Sequence, residues 1–275
     1  MNLNKIQKQK KEAVLMGKGK KFLIFLMVVL FLGGLVYALW PVIYGLFYQV
    51  SGDIAVQQFV ETYHPGEGTV PDAETDDAAS PEPTEMPYRE LYEAMQEYNQ
   101  QIYEEKQEGL TDAWSYTNPS FNLEKYRIED GAMGIVTIPS LSICMPLYLG
   151  ATYTHMAKGT AQLSQTSIPI GGINTNSVIC GHCGWGYAKY FRYLCTIQTG
   201  ALVYVTNLWE TLVYEVVDTD IILPYDIDKI LIQEGKDMVT LFTCHPYASG
   251  GRYRYVVYCE RVEDAEVPEL SELMG

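Results

Sequence analysis

The stretch from Phe22 to Val50 contains no charged residue and is apolar almost throughout. A helix needs roughly 20 apolar residues to cross the bilayer core, and this stretch has 29. A removable signal peptide has an apolar part of only about 7–15 residues before a small-residue cleavage site, whereas the bulky VYALWPVIYG follows here. We therefore predict an uncleaved membrane anchor at about Phe22–Trp40, with Pro41 near its outer end. A buried helix of a soluble protein is the alternative.

Charge is distributed unevenly on the two sides of this stretch. Residues 1–21 hold seven of the 19 basic residues and one of the 34 acids, a net charge of +6. Residues 51–275 hold the other 12 basic residues and 33 acids, a net charge of −21. Lysines beside a membrane span stay on the cytoplasmic side, so we predict a single-pass protein with its acidic body outside the cell. That body would repel the phosphates of a nucleic acid, which we exclude as a partner.

The body starts with two segments that differ in composition. Residues 51–87 contain five prolines and many acids but no Lys or Arg, which predicts an extended linker that holds the body off the membrane. From Tyr88, apolar residues recur at spacings of three and four, which predicts an amphipathic helix ending before Gly109. The irregular GLTDAWSYTNPS follows, with Trp114 as its large aromatic residue.

After Tyr126 the sequence consists of short β-branched and aromatic runs, such as GIVTIP, ALVYVTN and RYRYVVYCERV, separated by turn-forming residues. One helical segment, YAKYFRYL, lies between them. Seven or eight short strands within about 140 residues predict a mainly β fold, either a closed barrel or a sandwich.

The last two predicted strands carry the strongest chemical signal. MVTLFTC ends at Cys244, and RYRYVVYCERV follows after the turn-forming HPYASGG. If the strands pair antiparallel, Cys244 lies near Arg252 and Arg254, which share a strand face. A cationic neighbour makes a thiol a better nucleophile, and a positioned Arg can stabilise negative charge on a carbonyl oxygen.

A cysteine nucleophile also needs a proton carrier, most often His. The candidates are His64, His155, His182 and His245. His64 lies in the predicted linker, and His245 adjoins Cys244 but faces the other way. His182 follows the predicted strand SVIC in a glycine-rich turn, where catalytic groups are common. On the residues alone, packing roles for Cys244 and His182 stay open.

The run CGHC also raises the question of zinc. Structural zinc sites draw paired ligands at short spacing, but Cys180 and His182 would share a strand face while Cys183 lies across a turn. We therefore expect no metal and no cofactor, and a zinc-binding or non-catalytic surface module is an alternative. An exported body can form disulfides, and the sequence does not show which of its six cysteines pair: Cys144, Cys180, Cys183, Cys195, Cys244 and Cys259.

Several motifs, taken together and in order, resemble the sortase family. TLFTCHPY followed by RYVVYCERV resembles the sortase nucleophile and arginine signature, and NTNSVICGHCGWGYAKYFRYL resembles the histidine segment. MGIVTIPSLSICMPLYLG and TSIPIGGINTNSV resemble the first strands and the loop before the histidine. The resemblance covers about 88–262. It implies a closed β-barrel of about eight strands with short helices, preceded by an N-terminal helix and a lid.

The resemblance also implies roles for individual residues. Cys244 would be the nucleophile, His182 the proton carrier, and Arg254 the group that holds the oxyanion or the substrate backbone. Arg252 is the runner-up to Arg254, and Thr243 is a supporting candidate.

Within the family, TCHPY is most like the class C, pilin-polymerising sortases. TDAWSY resembles their lid, which makes Asp112 and Trp114 the lid anchors; a packing role for Trp114 on the barrel surface is the alternative. Ala113 stands where the lid proline is usual, Cys183 where an Arg is usual, and Asn176 where a His is common.

The implied function is a cysteine transpeptidase that cleaves an LPxTG-like signal between Thr and Gly and joins it to a Lys amine. Its partners would be pilins or other surface proteins with such signals and acceptor lysines, and membrane lipid around the N-terminal helix. A housekeeping anchoring sortase is the alternative enzyme. The expected segments are a basic tip (1–21), anchor (22–48), linker (49–87), helix and lid (88–126), catalytic barrel (127–264) and acidic tail (265–275).

Overall fold

The computed structural model describes residues 3–65, 86–108, 110, 121–128, 132–184 and 190–274, and for residues 3–19 it describes the backbone alone. The α-helices within these ranges are α1 Leu3–Tyr63, α2 Arg89–Glu104, α3 Tyr153–Lys158 and α4 Leu270–Met274. The strands are β1 Ala132–Ile138, β2 Ile143–Leu149, β3 Thr160–Gln162, β4 Thr175–Cys180, β5 Leu202–Asn207, β6 Thr211–Ile222, β7 Asp237–His245 and β8 Tyr253–Arg261.

The eight strands form a closed barrel in the order β1-β2-β3-β4-β7-β8-β6-β5. The pairs β2–β3 and β4–β7 are parallel, and the other neighbours are antiparallel. Closure leaves no unpaired strand edge, and β-branched side chains such as Val136, Val205 and Val257 fill the interior. The predicted barrel of about eight strands is confirmed, and the sandwich alternative is wrong.

The helical segment predicted at YAKYFRYL differs from what is observed. Its described part, from Tyr190, consists of turns that lead into a 3₁₀ turn at Leu194–Thr196. The N–H of Phe191 donates to the carbonyl of His182 at 3.0 Å, which ties this segment to the end of β4 instead of to a preceding helical turn.

Helix α1 differs most from the sequence-based expectation, because it runs without a break from Leu3 to Tyr63. The extended linker expected from residue 49 is therefore helical for its first part, and Pro41 lies inside the helix. Val56, Phe59 and Val60 recur at helical spacing and are buried against the barrel. The prolines that suggested a linker all lie at or beyond residue 65, so the earlier residues keep their helical pattern.

Among the described residues, one helical segment has the length and composition of a membrane crossing. It is the part of α1 from Lys20 to Tyr63. Its most apolar stretch is not covered by other described residues. The chain therefore has an N-terminal apolar helix of the kind predicted, while its orientation stays a prediction.

Helix α2 and the C-terminal residues pack on the same end of the barrel. The helix predicted from Tyr88 is confirmed as α2, and the side-chain amide of its buried Asn99 bonds both backbone groups of Ile168, at 2.7 and 3.0 Å. The acidic tail is not a separate segment, because Leu270 and Leu273, one helical turn apart, are buried in the same apolar cluster as Phe59. The lid residues Asp112 and Trp114 lie outside the described residues.

Candidate active site

Strands β7 and β8 place Cys244 directly opposite Arg254. The antiparallel pairing predicted for these strands is thus observed, and it brings one cysteine and one arginine together at the end of the barrel where β7 ends and β8 begins. Arg252 does not share that face, because β8 begins at Tyr253 and Arg252 lies exposed in the preceding turn.

The side chain of Arg254 is held in place although it carries a charge. It is only 2% exposed, and its Nη1 donates to the carbonyl of Gly251 at 2.9 Å and to that of Tyr253 at 3.0 Å. A buried cation costs free energy unless it is hydrogen-bonded, and these carbonyls supply part of that compensation. A small cavity beside the guanidinium is lined by Phe242 and Ile227, among other residues.

The end of β4 lies beside the end of β7. The two strands are parallel, with Cys180 paired to Phe242. Beyond this pair, the N–H of Gly181 donates to the carbonyl of Phe242 at 3.2 Å, and Thr243 Oγ1 donates to the carbonyl of Gly181 at 2.8 Å. Continuation of this register sets His182 level with Cys244. Thr243 therefore fixes the backbone that carries His182.

The imidazole of His182 lies between the end of β4 and the segment that follows it. Its ring packs edge-on against Tyr190, with ring centroids 5.7 Å apart, and the Tyr190 hydroxyl donates to the carbonyl of Ala157 at 2.6 Å. Burial lowers the pKa of His182 below its ordinary value of 6.5, because a desolvated imidazolium is less stable than the neutral ring.

His245 is separated from this arrangement by the alternation of the strand. It pairs with Tyr253, and its ring lies 5.9 Å from that of Tyr255. His155, the fourth histidine, bonds the carbonyl of Gly150 through Nδ1 at 2.8 Å in α3. His64 is not in a linker, since its Nε2 lies 2.7 Å from the carbonyl oxygen of Asn207 and the residue is buried.

The other cysteines differ from Cys244 in their surroundings. Each of the six is a free thiol. Cys180 is buried, its thiol donates to the carbonyl of Ala161 at 3.1 Å, and burial raises its pKa to about 12. Cys183 is half-buried, and its pKa is raised by burial first and then by the nearby Cys195 and Cys244. Among the described residues, no group of three His, Cys, Asp or Glu side chains is arranged to hold a metal ion.

Three neighbours of the site did not stand out in the sequence. Gly181 is required because a Cβ there would lie 2.7 Å from the ring of Phe191. Tyr190 supports His182 from a segment that the sequence assigned to a helix. The pattern Gly-His after a strand was the available signal for Gly181, whereas the contacts of Tyr190 and Phe191 depend on how the chain folds back. Asn176 lies farther down β4, where its Oδ1 accepts from Thr240 at 2.8 Å.

The chain is similar to known proteins in sequence. The family model described as the Sortase domain matches residues 136–262, which include all three candidate residues. Sortase D of Bacillus subtilis (strain 168) is 27% identical over 149 residues, which are 53% of this chain and 72% of that protein.

Solved structures are also similar. The crystal structure of sortase C-1 from Actinomyces oris is 31% identical, with a TM-score of 0.56 over 63% of this chain and 97% of that one. Sortase C1 of GBS pilus island 1 is 27% identical, with a TM-score of 0.56 over 65% of this chain and 84% of that one.

Proposed function

The chain belongs to the sortase family of cysteine transpeptidases and is similar in structure to class C members. We propose that Cys244, His182 and Arg254 form its catalytic site. The observation that carries this proposal is the placement of Cys244 opposite Arg254, with His182 tied beside them through Gly181 and Thr243. Nucleophile, proton carrier and cation then converge at one end of the barrel.

In the first half of the reaction, Cys244 Sγ attacks the carbonyl carbon of the Thr in an LPxTG-like signal. His182 accepts the proton of the Cys244 thiol during the attack. The Thr–Gly peptide bond then breaks, a thioester to Cys244 forms, and His182 passes that proton to the departing Gly amine. The guanidinium of Arg254 stabilises the oxyanion of the tetrahedral intermediate or holds the substrate backbone.

In the second half, a Lys ε-amine attacks the thioester carbonyl. An isopeptide bond forms, the bond to Cys244 breaks, and His182 takes up the proton that the amine loses and passes it to the Cys244 sulfur. Burial of His182 suits both steps, since a lowered pKa keeps the neutral, proton-accepting ring accessible near neutral pH. No step needs a cofactor.

We further propose that the amine belongs to a surface protein of the pilin type. The similarity to sortase C-1 of Actinomyces oris and to sortase C1 of a GBS pilus island supports this substrate class. The TCHPY sequence at the nucleophile points the same way.

A lid carrying Asp112 and Trp114 remains part of the proposal. Its support comes from the described residues just before it. Leu110 is buried in the same apolar cluster as Phe242 and Val256, and Gln107 Oε1 accepts from the N–H of Ile232 at 2.7 Å. The chain is thus held against the barrel immediately before the lid segment starts.

The lysine-rich residues 1–21 and the catalytic barrel are proposed to lie on opposite sides of the membrane, the former in the cytoplasm and the latter outside the cell. A surface-protein substrate that crosses the same membrane would then meet Cys244 on the outer side of the membrane.

The experiment that tests the substrate class compares two acceptors. The full chain in detergent is incubated with an LPxTG peptide and either a Lys-containing peptide or an oligoglycine, and the products are separated by mass. We expect the isopeptide product with the Lys peptide, with more of it from Trp114→Ala if the lid restricts access. Product with oligoglycine alone would favour the anchoring sortase, and no product from either acceptor would contradict the proposed function.

A further inference from the structure

Helix α1 connects its apolar stretch to the barrel without an intervening linker. Phe31 and Trp40 are 69% and 60% exposed, whereas Gly45 is buried and Val56 and Phe59 lie in the barrel's apolar cluster. At 1.5 Å per residue, Gly45 is only about 8 Å beyond Trp40 along the helix. The barrel therefore begins about where the apolar stretch ends.

The helix passes along the barrel from the catalytic end to the opposite end. Near the apolar stretch, Tyr48 and Tyr190 line a common cavity of about 410 Å³, and Tyr190 packs against His182. At the other end of α1, His64 bonds Asn207, the last residue of β5.

The strand β6 shows that these are opposite ends. It begins at Thr211, which pairs with Thr206 beside Asn207, and it ends at Ile222, which pairs with Arg254. The part of the barrel closest to the apolar stretch is therefore the part that carries the catalytic residues.

We propose that the catalytic end of the barrel faces the bilayer and rests on its headgroup layer. The lipid-facing surface, named here the contact face, consists of α3, residues 190–193 and the turn of α1 at Tyr44–Tyr48. The proposal requires α1 to cross the membrane but does not depend on which reaction Cys244 performs.

Distances along the helix support this placement. A 20-residue span that begins at Phe22 ends at Pro41 and covers about 30 Å. Tyr48 is then about 10 Å beyond the hydrocarbon core, close to the outer limit of the headgroups, since these add only about 5–8 Å on each side. Tyr190 and His182 follow directly beyond that level.

The side chains of the contact face suit an interface between apolar and polar surroundings. Tyr44 is hydrogen-bonded to Tyr48 at 3.0 Å and also to Tyr153 of α3. Tyr153 and Tyr193 are 51% and 48% exposed. Tyr and Trp concentrate at headgroup level because their rings prefer apolar and their polar groups aqueous surroundings.

Two cations lie on the contact face. They are Lys158 and Arg192, with Asp53 as an acid in the cavity. A membrane with anionic lipids attracts these two cations. Asp226, which lines the cavity of Arg254, is an acid at the same end of the barrel.

The orientation has a consequence for substrate entry. A peptide segment that reaches Cys244 has to approach along the membrane surface, so the barrel favours signals that lie close to the bilayer over those presented far from it.

Photo-cross-linking to lipid tests this proposal. Full chain carrying p-benzoyl-phenylalanine in place of Tyr193 is reconstituted in nanodiscs of phosphatidylglycerol and phosphatidylcholine, irradiated, and analysed by mass for lipid adducts. Phe31 serves as the site within the span. Ile173 serves as the matched surface site, because it is 61% exposed and lies just before β4, at the end of the barrel away from His182.

We expect lipid adducts at Phe31 and Tyr193 and at least fivefold fewer at Ile173. Adducts at Phe31 without adducts at Tyr193, or equal yields at Tyr193 and Ile173, would overturn the proposed orientation. Absence of adducts at Phe31 would overturn it as well, because α1 would then not cross the bilayer. Acylation of Cys244 by an LPxTG peptide, measured on the same nanodiscs, reports on the proposed reaction separately.

Discussion

Cys244 and Arg254 are direct cross-strand partners, the former half-buried and the latter almost completely buried. Their facing positions are set by the register of β7 and β8, so neither residue can shift without disturbing the pairing of these strands. The guanidinium is further fixed by two backbone carbonyls. A cation held this rigidly next to a thiol needs little reorganisation as negative charge develops.

Replacement of Arg254 tests this role. Arg254→Ala is expected to lower kcat/KM by about 100- to 1000-fold, the usual cost of losing one oxyanion-stabilising group. Arg252→Ala is the matched control, because Arg252 is exposed and lies outside β8, and it should stay within about threefold of the unmodified enzyme. Equal losses in both variants, measured on protein with unchanged thermal unfolding, would contradict the assignment.

Thr243 is expected to affect catalysis by holding His182 in position. Thr243→Val keeps the side-chain shape but removes the hydrogen bond to Gly181, which should cost about 1 kcal/mol of stability and lower kcat by up to about 100-fold through misplacement of His182. Thr240→Val removes a comparable buried bond, to Asn176, and should lose similar stability with kcat nearly unchanged. If both variants lose kcat equally, Thr243 has no special part in positioning His182.

The lowered pKa of His182 has a consequence for stability. Its folded pKa lies below the unfolded value of 6.5, so on acidification the unfolded chain takes up the proton first. The stabilising contribution is therefore present above pH 6.5 and is lost as the pH falls through the folded pKa. Denaturant unfolding from pH 8 to 5 should show the native protein losing more stability than His182→Gln. Parallel pH profiles for the two proteins would show that His182 is not desolvated.

The outer part of α1 is expected to be part of the folded domain. Phe59→Ala should lower the free energy of unfolding by about 3–5 kcal/mol, because Phe59 is 3% exposed in the core cluster. Ile173→Ala, at a 61% exposed position, should change it by less than about 0.5 kcal/mol. A loss at Phe59 no larger than the loss at Ile173 would mean that α1 does not pack on the barrel.

Much of the barrel could be predicted from the sequence, because short alternating runs and turn residues are local signals. The pairing of MVTLFTC with RYRYVVYCERV needed only a turn between them, and it brought Cys244 to Arg254. The position of Arg252 outside β8 could not be predicted, since the first residue of a strand depends on how the turn closes.

Other features depended on contacts between distant residues. The helical pattern of Val56, Phe59 and Val60 was present in the sequence, but the nearby prolines and acids favoured a linker, and burial against the barrel decided the outcome. In the same way, Phe191 packs against Gly181 across the site, a contact that no local pattern encodes. The resemblance of GHCGWG to a histidine segment pointed to His182 as the candidate proton carrier. The contact of Tyr190 with His182 became apparent only in the folded structure.

Capture of the acyl-enzyme tests whether Cys244 is the nucleophile. The full chain and its Cys244→Ala variant are incubated with an LPxTG peptide, and intact mass is measured before any acceptor amine is added. We expect an adduct equal to the peptide up to its Thr, present in the unmodified protein and absent from Cys244→Ala. An adduct that persists in Cys244→Ala, or no adduct on folded unmodified protein, would contradict the assignment of Cys244 as the nucleophile.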